Sequence, residues 1–151
     1  MPQKLKLIFI SAVCVLAVVI VWANFIGINK TVDKTVQVNI YEENDKFLYK
    51  IQDITISGNF KKTLSSTSFV GTFAIEYDEP TCGDGVQAEI KWYADYQTIN
   101  FYYAGNFTHF DIVDISIDEK MENMMIVLED GTIITSPSYY IPADIWKQYK
   151  G

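Results

Sequence analysis

The chain has 151 residues, a formal net charge of −7 and an apolar fraction of 49%. Its cationic side chains are twelve lysines with no arginine; nine of those lysines and all nineteen acids follow residue 30, so Thr31–Gly151 carries a formal charge of −10. Nucleic-acid binding needs a cationic face and is commonly read by arginine forks, so this composition excludes it, along with docking on anionic lipid by net charge and bidentate capture of phosphate by arginine. The abundance of Ile, Lys, Asn and Tyr points to a low-GC bacterial source.

Residues 1–6 hold Lys4 and Lys6 with no acid beside them. Leu7 to Ile28 then runs without a charge, and Asn24 is its only strongly polar side chain. A helix over residues 7–28 reaches about 33 Å, against about 30 Å for a bilayer's hydrocarbon core. Trp22 suits the interface. Two readings compete, an uncleaved anchor and a signal peptide cut after Val21-Trp22-Ala23. A signal h-region is about 7–15 residues long, and the excess length favours the anchor. Ser11-Ala12-Val13-Cys14 matches a lipoprotein box poorly, so Cys14 reads as a small apolar residue. The positive-inside rule leaves residues 1–6 in the cytoplasm and sends the C-terminal part out, Lys30 being a minor counter-signal.

Residues 29–34 read as a linker and residues 35–151 as one domain with its own core. Val36, Val38 and Ile40 share one face of a first strand. Ile51, Ile54 and Ile56 mark a second, ending near Gly58. Residues 61–68 are polar and read as a loop. Phe69 to Tyr77 alternates as a third strand, whose Gly71 signals a bulge or a close backbone approach. Residues 78–85 hold a Pro and two Gly and break the pattern. Val86–Tyr93 and Gln97–Tyr103 follow as strands joined by a short turn, with another turn at Ala104-Gly105-Asn106. From Phe110 to Ile117 the alternation changes phase, which predicts a bulge near Ile112. Met124–Glu129 and Thr132–Thr135 flank Asp130-Gly131, a hairpin signal in which both turn positions favour positive φ. Pro137 ends the sheet, and Pro142–Tyr149 reads as a short helix with Pro in its first turn. About eight strands predict an all-β antiparallel sandwich or small barrel after one N-terminal transmembrane helix, with a short C-terminal helix.

The layout resembles the small, uncharacterised single-pass extracytoplasmic β-domain proteins of Gram-positive bacteria. The resemblance rests on the basic start, the single span and the stretches Ile54-Thr55-Ile56-Ser57-Gly58, Phe69-Val70-Gly71-Thr72-Phe73 and Asp130-Gly131-Thr132-Ile133-Ile134. It covers about a third of the chain and implies location and fold, with no activity attached.

Motifs for chemistry are sparse. His109 is the single histidine, and a Ser-His-Asp or histidine-metal site would have to use it, with Asp111 two residues on. Asp114, Ser116 and Asp118, and Asp78, Glu79 and Asp84, carry oxygen ligands but do not match the calcium-loop pattern. No metal, cofactor or catalytic residue is assigned. Cys82 lies in an expected exposed turn with no cysteine partner in the outer domain. Asn29 and Asn106 head glycosylation sequons, relevant only in a eukaryotic source.

Aromatics are the feature that stands out. Eight of the 19 residues from Trp92 to Phe110 are aromatic. Neighbouring strand positions face opposite ways, so Trp92, Tyr93, Tyr96, Tyr102 and Tyr103 cannot all enter one core. Either the outward ones bind a partner or stack a sugar, or they pair across strands and stabilise the sheet. The leading expectation is a non-enzymatic, membrane-anchored extracytoplasmic binding domain for a protein or envelope component, with those five as candidate contact residues. A small-ligand or glycan-binding β domain is the alternative, and a cell-envelope hydrolase the second alternative.

Overall fold

A computed structural model describes residues 2–42, 49–77, 79–103, 106–108 and 111–150. Helix α1 spans Gln3–Phe25 and is long and apolar enough to cross a membrane, with none of its apolar window buried. Its polar side chains fold back on its own carbonyls: Ser11 Oγ donates to Ile8 O and Asn24 Nδ2 to Ile20 O, each at 2.9 Å. Such bonds are what a helix in lipid requires of its polar groups.

The helix ends three residues earlier than the apolar run. Gly27 adopts φ +57°, and its N–H donates to Trp22 O at 3.0 Å. A Cβ at position 27 would lie 2.2 Å from Lys62 O, so glycine alone allows this turn. Strand β1, Ile28–Tyr41, begins at once. Residues 29–34, expected as a linker, are therefore strand: they pair residue for residue with β2, Lys50–Lys62. Alternation was hidden there because Asn29 to Lys34 lie where β1 outruns its other neighbour and little of that stretch is buried.

The remaining strands are β3 (Thr67–Ile75), β4 (Val86–Trp92), β5 (Gln97–Tyr103), β6 (Asn106–Thr108), β7 (Ile112–Ile117), β8 (Met124–Leu128) and β9 (Ile133–Thr135). All pairings are antiparallel, in the order β6-β5-β4-β3-β2-β1-β9-β8-β7. Because β6 leads into β7 and β5 lies beside β7, the two short strands act as one interrupted strand. The result is an eight-stranded antiparallel barrel, nearly closed, in which neighbours in space are neighbours in sequence and β9 returns to β1.

An eight-stranded barrel is just wide enough for its interior to be filled by side chains. Here Val38, Ile40, Ile54, Ile56, Phe69, Phe73, Ile90, Phe101, Met124, Ile126 and Ile134 are buried in one continuous cluster. Gly58 and Gly71 face each other across β2 and β3, and a Cβ on either would lie within 2.6 Å of the other strand's backbone. Of the two roles open to Gly71, close approach is the one realised, with no register break in that pair. The polar stretch 61–68 narrows to the turn Thr63–Ser66, closed by Thr63 N–H to Ser66 O at 2.8 Å. Lys61, Lys62, Thr67 and Ser68 are paired strand residues whose polar side chains had masked them.

A register shift falls between Ile112 and Asp114, with Val113 as the extra residue, so the phase change in the sequence is a bulge. The Asp130-Gly131 hairpin forms with a different turn. Gly131 has φ +79° and Asp130 does not have a positive φ. Gly131 N–H donates to Leu128 O and Leu128 N–H to Thr132 O, which makes a three-residue loop with glycine at the left-handed bulge position. Thr132 N–H donates to Asp130 Oδ1 at 2.8 Å and fixes the last part of that turn.

Helix α2, Ala143–Lys150, lies outside the barrel. Its Ile145, Trp146 and Tyr149 cover Met125, Val127 and Ile133, and Trp146 meets Tyr41 edge-on at 5.4 Å. Strand β8 is thus buried on both faces, which explains its uninterrupted run of apolar residues.

Candidate functional site

Two ends of the barrel differ. The proximal end receives α1 and carries the turns Thr63–Ser66, Tyr93–Tyr96 and Asp118–Asn123. The distal end carries the 3₁₀ turn Glu79–Cys82 and the loop Glu129–Thr132.

Trp92 packs against the core. It ends β4 on the inward side, its Nε1 donates to Ile117 O at 2.8 Å, and its ring meets Phe60 at 5.9 Å. It closes the proximal mouth with Met121, which is buried although its backbone is at φ +54°. A non-glycine residue held there is strained, and the burial of its side chain offsets that strain. The loop around Met121 is stitched by Asp118. Glu122 N–H donates to Asp118 Oδ1 at 2.8 Å and Asn123 Nδ2 to Oδ2 at 3.0 Å. Burial pushes the Asp118 carboxyl up, but these bonds, a further backbone one from Asn123 and the Lys34 charge together hold it below its ordinary value. Lys34 also donates to Lys120 O and lies 3.8 Å from Glu122.

Tyr93 and Tyr96 stack on one another at 4.6 Å in the β4–β5 turn, 47% and 57% exposed. Tyr102 sits on the outer wall, where its hydroxyl reaches Glu89 Oε2 at 3.4 Å, and Glu89 pairs with Lys91 at 2.9 Å. The hydrogen bond and charge of Glu89 raise the Lys91 ammonium above its ordinary value. Tyr103 lies exposed at the distal end, paired with Val86. The five aromatic candidates therefore do not make one face: one is interior, two are proximal, one is lateral and one is distal.

Between β5 and β7 the barrel has a seam. Among the described residues no ladder joins Gln97–Asn100 to Ile112–Ile115. A cleft of about 410 Å³ runs along this seam, lined by Tyr96, Gln97, Thr98, Asn100, Val113 and Asp114 among others. The cleft arises because β7 leaves β5 to pair with β8 and the bulge at Val113 turns it away. The phase change between Phe110 and Val113 was the one sequence signal for it; the polar residues facing it from β5 gave none.

Of the residues considered for chemistry, His109 and Asp78 lie outside the described residues. Asp111 is exposed, Asp114 lines the seam and Asp118 is engaged in its loop. Among the described residues no group of three or more His, Cys, Asp or Glu could hold a metal ion. Cys82 is exposed in the 3₁₀ turn, beside Thr81, whose buried hydroxyl accepts from Ile75 N–H at 2.8 Å.

Compared with protein-family models, with curated proteins and with solved structures, the chain matches none.

Proposed function

We propose that the protein is a membrane-anchored, non-enzymatic binding domain that takes an extended segment of a protein or envelope component at the β5–β7 seam. The observation that carries this reading is the cleft along the β5–β7 seam, where no ladder joins Gln97–Asn100 to Ile112–Ile115 among the described residues. Two strand edges flank a cleft, and a peptide can satisfy such edges through its own backbone while alternate side chains enter the groove. Thr98, Asn100 and Asp114 offer polar contacts there, and Tyr96, Val113 and Ile115 offer apolar ones. The small-ligand alternative retains this same cleft, because the barrel axis is occupied by the core. The anchor and the extracytoplasmic placement rest on the length of α1 and on Lys4 and Lys6 before it. The kinship with small single-pass β-domain proteins of Gram-positive bacteria belongs to this proposal as well.

The test is photocrosslinking from single positions in the native membrane. Probes at Thr98 and Asp114 are expected to give a discrete adduct that Val113→Lys abolishes, and probes at Thr55 and Ser57 on the opposite wall are expected to give none. Adducts from the wall positions but not from the seam would overturn the reading.

A further inference from the structure

The junction between α1 and the barrel ties one rim of the domain to the end of the apolar helix. Leu64 N–H donates to Ala23 O at 3.0 Å, so the β2–β3 turn touches the last turn of the helix. Gly27 packs on Lys62 so closely that no free linker separates the two. A helix of 23 residues extends about 34 Å, little more than a hydrocarbon core of about 30 Å, so its last turn lies at the interface when it spans. Whatever touches Ala23 lies at that depth too.

The residues so placed have the matching chemistry. The Leu64 side chain is 69% exposed. A surface groove brings Leu64, Ser65 and Ser66 together with Trp92, Tyr93 and Glu119, and Tyr96 stacks on Tyr93. Exposed tyrosines with apolar rings and polar tips are enriched at the headgroup level. Charge runs the same way. Lys30, Lys61, Lys62 and Lys120 offset Asp95, Asp118, Glu119 and Glu122 around this rim, whereas the distal end sets Glu42, Glu76, Asp84, Glu129 and Asp130 against Lys50 among the described residues. The excess of acids is therefore at the end of the barrel opposite the helix.

We propose that Leu64, Tyr93 and Tyr96 form a lipid-contacting rim that seats the barrel mouth-down on the headgroup layer of the bilayer spanned by α1. The proposal rests on the anchor reading of α1 but not on the seam. It also bears on the seam, since Tyr96 belongs to both: a partner segment would enter from the side, just above the lipid.

The test uses the full chain in phosphatidylcholine nanodiscs, with Cys14→Ser and Cys82→Ser as background. A single environment-sensitive fluorophore is attached at Leu64→Cys, Tyr96→Cys, Asp84→Cys or Val15→Cys. Nitroxide lipids labelled near the headgroup are expected to quench the probe at 64 and 96 and leave the one at 84 bright and open to aqueous iodide. Lipids labelled deep in the acyl chain are expected to quench the probe at 15. A quenched probe at 15 with probes at 64 and 96 as iodide-accessible as at 84 overturns the rim and leaves the anchor standing. An unquenched probe at 15 overturns the anchor and the rim with it.

Discussion

Trp92→Phe separates a structural tryptophan from a binding one. The substitution keeps an aromatic ring against Phe60 but deletes the Nε1 donor that ties the end of β4 to Ile117 O of β7. That bond spans the mouth of the barrel, beside the stretch where no ladder joins β5 to β7 among the described residues. The lost hydrogen bond costs about 1 kcal/mol. The smaller ring of a half-buried side chain forfeits roughly another 0.5–1 kcal/mol of apolar burial. A domain of this size loses about 4 °C of Tm per kcal/mol, so near-ultraviolet circular dichroism of the full chain in nanodiscs should show a fall of about 6–8 °C. Trp92→Ala, which also empties the mouth, should cost about 3–4 kcal/mol. In a double-mutant cycle with Phe60→Leu, the coupling should be about 0.5–1.5 kcal/mol. A surface contact residue would shift stability by no more than about 0.5 kcal/mol. A Tm fall under about 2 °C for Trp92→Phe would refute the structural role and return Trp92 to the contact residues.

Three further outcomes are expected. Gly71→Ala should destabilise by about 3 kcal/mol or more, because its Cβ meets the backbone of Ser57 and Gly58 rather than a flexible side chain; a melt within a few degrees of the parent would show that the strands can part. The lowered Asp118 carboxyl stabilises the fold above its ordinary value of 3.8, and that contribution is lost as pH falls through its folded-state value. Asp118→Asn should therefore be less stable than the parent at neutral pH and converge with it in strong acid, and a pH-independent difference measured by urea unfolding would contradict this. A membrane-impermeant maleimide should label exposed Cys82 in intact cells while Cys14 stays protected; labelling of Cys82 only after lysis would reverse the proposed orientation.

Legibility followed burial. Where one face of a strand is buried, period-two alternation exposes it, as in Val36–Ile40, Phe69–Phe73 and Val86–Ile90. Where strands pair at the margin of the core, as in Asn29–Lys34 with Val32 as its single apolar residue and in Lys61–Lys62, most side chains are polar and the sequence reads as linker or loop. Strand β8, buried on both faces by the barrel and by α2, shows no alternation at all, and its turn signals carried the assignment. The choice between sandwich and barrel was not legible, because both use the same inward alternation; closure depends on β9 meeting β1, residues far apart in sequence such as Asn39 and Thr135.

The aromatic cluster shows the same division. Its density between Trp92 and Phe110 is plain in the sequence, and so is the need for its members to face different ways. Their separation into plug, rim, wall and distal edge depends on where each strand ends relative to the barrel's two mouths, which local pattern does not encode. By itself the sequence determined an apolar helix of spanning length, an acidic arginine-free domain, strands of alternating residues, a bulge near Ile112 and a glycine hairpin, because each depends on composition or on neighbours within a few positions. Only the tertiary structure decided that the barrel closes except at one seam, that Trp92 and Met121 stopper its proximal mouth, and that Leu64 and the stacked tyrosines share the end where the helix enters. Those features come from contacts between residues dozens of positions apart, such as Ala23 with Leu64 and Trp92 with Ile117, whose meeting is set by packing and pairing across the whole domain.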